Sequence, residues 1–122
     1  MRGSAGEDDV TDHMTFGRAI AAARKKKGMS QKDLAALIVK EDGEGPISPQ
    51  YLNDIEHDRR SPMSDHLIRQ FAKVLHKDPG YLFVLVGKLP DEIKRTRASE
   101  EQIVESFTSF RRSLTTRRKG KT

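Results

Sequence analysis

The apolar residues of this chain recur three and four positions apart, as in α-helices, and no segment alternates with the period of two typical of strands. A first helix is predicted from Thr15 to Gly28, because a run of Arg and Lys followed by glycine suits a helix C-terminus. A second, short helix opens with Ser30 and Asp33, which form a capping-box pattern. The inward positions of these two helices are Phe16, Ala19, Ile20, Ala23, Leu34, Ala35, Leu37 and Ile38.

A third and a fourth helix follow the same rules. Ser48 and Pro49 open the third, since serine caps free amides and proline at the first helical position has none to satisfy. This helix is expected to stop near residues 57–60, ahead of another Ser-Pro pair. Ser64 caps the fourth helix. The inward positions of both are Leu52, Ile55, Leu67, Ile68, Phe71, Ala72 and Leu75.

A fifth helix, opened by Asp78 and Pro79, contains six consecutive apolar residues, 81–86. A helix that is apolar on every side must be covered on every side, by the core of its own domain, by the C-terminal segment or by a second chain. The pattern favours a second chain. A sixth helix, expected over residues 100–114, begins with a capping box of Ser99 and Gln102. The predicted dimer-interface residues are Tyr81, Phe83, Val84 and Val86 of the fifth helix and Phe107 and Phe110 of the sixth.

These elements divide the chain into four segments and make the predicted fold class all-α. Residues 1–14 are polar and aperiodic, and are expected to be a disordered leader or a segment added ahead of a native start at Met14. Residues 15–90 form the main helical domain, and residues 91–114 a C-terminal helical segment that forms a dimer seam, grips a partner protein or completes the core. Residues 115–122 are expected to be a basic, disordered tail.

Charge narrows the choice of partner. The chain has a net charge of +5, of which the first 14 residues contribute −3 and each of the two later parts, 15–90 and 91–122, contributes +4. A basic body predicts an anionic partner, most commonly nucleic acid. The apolar run of residues 81–86 is far shorter than the roughly 20 residues that a membrane-spanning helix needs, so no membrane partner is expected.

Composition also argues against an enzyme. The chain contains no cysteine, which excludes a disulfide framework, a thiolate zinc site and a thiol nucleophile, and fits a reducing cytoplasm. It contains no glycine-rich phosphate loop, and the spacings of His57, His66 and His76 match no metal-ligand pattern. We therefore expect no catalysis, no metal and no cofactor.

Three sequence motifs together carry a resemblance to a known family. ARKKKGMSQKDLAALI covers the first two helices, ISPQYLNDIEHDRRSP the third helix and its following loop, and LIRQFAKVLHKDPGYLF the next two. Through these motifs residues 16–90 resemble the lambda-repressor-like DNA-binding domains of the Xre/Cro/CI family. The resemblance implies a five-helix bundle that contains a helix-turn-helix, here with an additional C-terminal helix.

In that family the third helix enters the DNA major groove, where each base pair shows a distinct hydrogen-bonding pattern. The resemblance assigns Gln50 and Asn53 as the informative pair, since a side-chain amide can both donate to and accept from adenine. Asp54 is awkward in a negative groove, and contacts either a cytosine amine or a cation that keeps it off the DNA. The predicted base-contacting residues are Pro49, Gln50, Tyr51, Asn53 and Asp54.

The resemblance also implies contacts to the DNA backbone and one internal ion pair. Arg24 and Glu56 match a family pair that ties the first helix to the end of the third. Gln31 matches a family glutamine that bonds a phosphate and braces the recognition helix. The predicted phosphate-contacting residues are Gln31, Lys32, Arg59 and Arg60.

The chain departs from the family between Ile38 and Ile47, which flank eight residues, 39–46, where the family has a short turn. This insertion carries three acids that DNA would repel. Either the second helix runs longer and the loop bulges into solvent, or the loop approaches the groove and alters base recognition. The first arrangement is favoured.

The expected function is a homodimeric transcriptional regulator, acting as a repressor, that binds a palindromic double-stranded DNA operator in the cytoplasm and is nucleoid-associated when bound. The rival hypothesis is an antitoxin or accessory regulator, in which residues 91–122 bind a partner protein.

Overall fold

The computed structural model describes residues 14–62 and 64–120, and over these residues the chain is helical with no strand. The all-α fold class is therefore confirmed. Contacts divide the chain into two compact units, one ending at Asp91 and one beginning at Glu92. The helices of the described residues are α1 (Phe16–Lys26), α2 (Gln31–Leu37), α3 (Pro49–Glu56), α4 (Asp65–Leu75), α5 (Pro79–Val86), α6 (Asp91–Lys94) and α7 (Glu100–Gly120).

The helices begin where the capping residues predict. Ser30 and Asp33 complete the capping box of α2, with the Ser30 hydroxyl accepting from the Asp33 amide at 2.9 Å. The hydroxyl of Ser48 accepts from the Tyr51 amide at 3.0 Å. At the other end of α1, Gly28 has a positive φ of 74°, as predicted for the residue after the C-cap. Thr15, Ser64 and Asp78 are further N-caps, and the predicted capping box of Ser99 and Gln102 forms at the start of α7.

The core of the first unit lies where the helices α1 to α5 meet. The rings of Phe16 and Phe71 pack edge to face, with their centroids 5.8 Å apart. All the predicted inward residues of these helices are buried except one from α2: Leu37 is 51% exposed, because α2 ends there. The fully buried large side chains of the core are Ile20, Leu34, Ile38, Leu52, Ile55, Ile68, Phe71 and Leu82.

The insertion of residues 39–46 does not lengthen the second helix, so that part of the favoured arrangement is wrong. From Ile38 to Ile47 the chain forms a small hairpin, in which the Ile47 amide donates to the Ile38 carbonyl at 2.9 Å. Both isoleucines are buried in the core, and their burial holds the two ends of the insertion together. Val39 is fixed to α4, because its amide donates to Gln70 Oε1 at 3.1 Å and its carbonyl lies 2.8 Å from His66 Nε2. The acidic tip is exposed.

Two corrections concern α5 and α7. Phe83, predicted at a dimer interface, is only 3% exposed because it packs into the core of its own unit, so it has little surface to offer a second chain. Tyr81 and Val84 remain exposed on α5, and Val86 is partly buried.

The C-terminal helix extends beyond its predicted end at residue 114 to Gly120, into the expected tail. Arginine and lysine favour helices and suit a helix C-terminus, which explains the extension.

The segment after α5 is attached to the start of α4. The Lys88 ammonium pairs with the Asp65 carboxylate, which also accepts from the Asp91 amide at 2.7 Å. The Lys88 hydrogen bond lowers the pKa of Asp65, and the same contact raises the pKa of Lys88. No helix of the described residues combines the length and the apolar content that crossing a bilayer requires.

The start of α1 lies directly against the end of α3, and Gly17 permits this contact. A Cβ atom at Gly17 would lie 2.2 Å from the Ile55 carbonyl oxygen. Asp58, in the left-handed region with φ of 59°, turns its carboxylate back to α1, where it accepts from the Thr15 hydroxyl at 2.8 Å and from the Gly17 amide at 3.2 Å. The end of the third helix therefore caps the first.

We expect Gly17→Ala to destabilise the protein by about 1–3 kcal/mol or more, because the added methyl must push α1 away from the α3 backbone. A loss of stability would be informative, because replacing glycine by alanine within a helix ordinarily stabilises a protein by roughly 0.5–1 kcal/mol. Urea unfolding followed by circular dichroism gives the change in free energy. Gly80→Ala is the matched control, because its Cβ would meet only the Asp78 side chain, at 3.1 Å. A Gly17→Ala variant as stable as the native chain would contradict the close contact.

Candidate nucleic-acid interface

The third helix presents one polar face outward. Leu52 and Ile55 are fully buried and fix the rotation of α3 about its axis. Pro49 and Gln50 are consequently exposed, and three more of the predicted base-contacting residues, Tyr51, Asn53 and Asp54, are half-buried. The structure thus brings the predicted base-contacting residues to one surface.

Beneath this face lies a buried ion pair between α1 and α3. Arg24 Nε and Nη2 donate to the two carboxylate oxygens of Glu56, at 2.7 and 3.0 Å, and Arg24 Nη1 donates to the Met29 carbonyl at 2.9 Å. Both ionic residues are at most 9% exposed. The hydrogen bonds that Arg24 donates to Glu56 raise the pKa of Arg24, so the guanidinium stays charged in the folded protein. Such a bidentate pair fixes the relative orientation of two helices.

Gln31, at the start of α2, joins this ion pair to the exposed face. Its side-chain nitrogen donates to Glu56 Oε1 at 2.9 Å and to Asn53 Oδ1 at 3.1 Å. Because a carboxylate only accepts, Gln31 must present its NH₂ group to Glu56, and Asn53 must then present its oxygen to Gln31. Both side-chain protons of Gln31 are used inside the protein, and the NH₂ group of Asn53 is left for other partners.

Asp54 is engaged by neighbouring side chains. Its Oδ1 accepts from Gln50 Nε2 at 3.1 Å and from Arg59 Nε at 3.2 Å. Arg60 Nε lies 3.7 Å from the other carboxylate oxygen, and its guanidinium stacks over the Tyr51 ring at 5.3 Å. Of the two alternatives left open for Asp54, the structure shows the ion pair. Two predicted phosphate-contacting residues, Arg59 and Arg60, are thus gathered beside α3.

Lys32 is exposed on α2, next to Gln31. A cleft of about 610 Å³ adjoins this region, between α1, the start of α2 and the end of α3. Two cations that the sequence analysis did not single out, Arg18 and Lys25, line it together with His57. These two residues are seven positions apart, or about two helical turns, and this spacing in the sequence indicates that they share one face of α1.

Two of the histidines lie at the C-terminal ends of helices. His57 and His76 occupy the C-caps of α3 and α4, and His76 also lies 3.0 Å from the Lys27 ammonium nitrogen. Among the residues that the structure describes, no cluster of three or more histidine and acidic side chains is arranged to hold a metal ion.

Comparison with known families gives one result. The model of a family described as helix-turn-helix matches residues 20–82, just over half of the chain, from within α1 to within α5. The matched region includes Arg24, Gln31, Glu56 and the whole of α3. No curated protein and no solved structure matches the chain.

We expect removal of one partner of the Arg24–Glu56 pair to cost about 3–5 kcal/mol, since the other charge is then buried without compensation. Arg24→Met and Glu56→Leu should each be strongly destabilising, and the double variant should be more stable than either single one. Urea unfolding of the four proteins provides the thermodynamic cycle. The pair of Asp54 and the exposed Arg59 is the control, because Arg59→Ala should cost less than about 1 kcal/mol. If the losses in unfolding free energy of the two single variants simply added up in the double variant, the two charges would not depend on each other.

Proposed function

Because the chain belongs to the Xre/Cro/CI-type helix-turn-helix family of DNA-binding regulators, we propose that it is a sequence-specific repressor that binds a palindromic double-stranded DNA operator as a homodimer. One observation carries this proposal: the outward face of α3 displays Gln50 and Asn53, while the buried carboxylate of Glu56 holds the amide of Asn53 in one orientation through Gln31. Side-chain amides held in this way are suited to base edges.

In the proposed complex α3 enters the major groove with its N-terminal residues against the bases. Asn53 offers its NH₂ group, because its oxygen already accepts from Gln31. It therefore acts mainly as a donor, to N7 of a purine or O6 of guanine. Gln50, which is exposed at the start of α3, contacts the adjacent base, and Pro49 and Tyr51 contact a thymine methyl or the sugar edge. This differs from the expectation that both amides bond adenine in the same way.

Backbone contacts come from the cations at the end of α3. Arg59 and Arg60 lie against Asp54 in the free protein, so this acid balances part of their charge before DNA is bound. Phosphate oxygens take over some of these hydrogen bonds on binding, and Lys32 adds a contact from α2. We assign Gln31 the bracing role alone, since both protons of its amide are used within the protein.

A homodimer accounts for a palindromic operator, because two-fold symmetry in the protein matches two half-sites about 34 Å apart. The residues available for association are Tyr81 and Val84 of α5 and Phe107 and Phe110 of α7, all of which are exposed. Repression follows when the bound dimer covers a promoter.

The apolar stripe of α7 also supports a second candidate, an antitoxin or accessory regulator in which this helix binds a different protein. Size-exclusion chromatography with light scattering separates the two. A concentration-dependent dimer of the isolated chain supports the homodimeric repressor. A chain that stays monomeric at all concentrations favours a partner of another kind.

We expect the affinity for DNA to fall steeply with salt, because several phosphates are neutralised on binding. Arg59→Ala should reduce the slope of log affinity against log salt by about one, the contribution of one phosphate contact. Fluorescence anisotropy with a labelled duplex at several salt concentrations measures this slope. Lys73→Ala removes an exposed charge from α4 and should leave the slope unchanged. Equal slopes for Arg59→Ala and the native chain would remove Arg59 from the interface.

We expect selection from random duplexes to return an enriched palindrome with the native chain. Gln50→Ala should relax the preference at one position of each half-site by about 1–3 kcal/mol and keep the salt slope. Gln31→Ala should relax a different position, that of Asn53, although Gln31 itself contacts no base, because the amide of Asn53 then loses its fixed orientation. Failure of the native chain to enrich any sequence would refute sequence-specific binding.

A further inference from the structure

The C-terminal helix α7 carries an apolar stripe that nothing in the proposed DNA-binding face uses. Ile103, Phe107, Phe110 and Leu114 are spaced by four, three and four residues, which is the a/d spacing of a coiled coil. Each of them is between 46 and 57% exposed. The rings of Phe107 and Phe110 lie side by side, with their centroids 6.4 Å apart. This seam is therefore continuous over three turns of the helix.

The charges of α7 change sign along its length. Glu100, Glu101 and Glu105 lie in the first part of the helix, which has no basic residue before Arg111. From Arg111 to the end of the chain there are six Lys or Arg residues and no acid. This polarity suits the dipole of the helix itself. It also makes two copies of the helix complementary only when they run in opposite directions.

The centre of the apolar seam coincides with the point where the charge changes sign. The seam is symmetric about the midpoint between residues 108 and 109, and that midpoint also lies between the last acid, Glu105, and the first base, Arg111. A two-fold axis placed there superimposes the seam on itself and sets the acidic part of one helix beside the basic part of the other. A parallel pair would instead set acids beside acids and bases beside bases.

We propose that α7 of one copy of the chain pairs in antiparallel orientation with α7 of a second copy, about a two-fold axis between residues 108 and 109. In this register Phe107 packs against Phe110 of the second copy, and Ile103 packs against Leu114 of the second copy. Each layer thus joins an a position to a d position, as antiparallel helices require. The pairing rests on the homodimer of the proposed function and supplies the surface that holds its two copies.

The size of the seam sets the strength of the pairing. If each large apolar side chain offers about 200 Å², the exposed halves of four amount to about 400 Å² per copy. This area is comparable to the largest apolar patch on a typical monomer, about 300–600 Å², and is roughly half of the 800 Å² that each partner contributes to a standard interface. The pair should therefore dissociate on dilution, and a DNA molecule with two half-sites should stabilise it by binding both copies at once.

Disulfide cross-linking tests the register, because the chain has no cysteine of its own. Ile103→Cys and Leu114→Cys variants of the full chain are mixed and oxidised gently without DNA. The mixed disulfide should form at least about tenfold faster than either variant forms its own, since a disulfide needs Cα atoms within about 7 Å. In the antiparallel register the two copies of position 103 are separated by 11 residues of helix, or about 16 Å. Circular dichroism verifies that each variant keeps its helices.

The matched control is a mixture of Glu105→Cys and Arg112→Cys. These two positions are symmetric about the same axis but lie on the outer side of the helix, so they should cross-link slowly. Rapid cross-linking of Ile103→Cys with itself would show a parallel pair and overturn the proposal. Absence of any cross-link, together with a monomer by light scattering, would show that the seam receives something other than a second copy, and would also overturn it.

The cross-linking result is independent of DNA recognition. A native chain that selects a DNA sequence, while its cysteine variants fail to cross-link, would overturn this pairing and leave the DNA-binding function intact. Cysteine variants that cross-link as described, with no DNA sequence selected by the native chain, would overturn the proposed function and leave the pairing intact.

Discussion

The carboxylate of Glu56 orients the whole surface around the third helix. It is buried, and a buried charge is tolerated only when hydrogen-bond donors surround it. Arg24 supplies two of these donors from α1 and Gln31 supplies one from α2. Because the carboxylate can only accept hydrogen bonds, the Gln31 amide must turn its NH₂ group toward Glu56. This orientation of Gln31 in turn fixes the orientation of the Asn53 amide. A buried electrostatic requirement thus determines which hydrogen-bonding group reaches the exposed face.

The short third helix is held to the first at two separate points. Near the C-terminal end of α1, Arg24 reaches Glu56, and at its N-terminal end the Asp58 carboxylate caps the helix while Gly17 allows the two backbones to meet. A helix of eight residues would not be stable alone in water. Its order comes from these contacts and from the burial of Leu52 and Ile55. In the proposed complex such a fixed helix is an advantage, since base contacts tolerate little misplacement.

Electrostatics also shape the parts of the chain that lie outside the buried network. Asp54 gathers Gln50, Arg59 and Arg60 beside α3, so two cations of this basic protein are held next to one acid. The acids of the inserted hairpin are exposed at its tip, and its base is fixed to α4 through Val39. On α7 the same principle acts along a whole helix, where acidic and basic parts flank a seam of apolar side chains.

Local sequence determined much of this protein. Capping residues such as Ser30 and Ser48 fixed where helices begin, glycine fixed where α1 ends, and helical spacing identified nearly all of the core, because each of these effects acts within about one turn of chain. The positions of Gln50 and Asn53 on an outward face followed from the burial of Leu52 and Ile55. Tertiary structure alone decided the features that depend on contacts between residues far apart in the sequence. It placed Gly17 against Ile55, closed the insertion into a hairpin by burying both Ile38 and Ile47, and drew Phe83 into the core. It also set the hydrogen-bond direction of Asn53, because that direction passes from Glu56 through Gln31, and no pattern of neighbours along the chain encodes it.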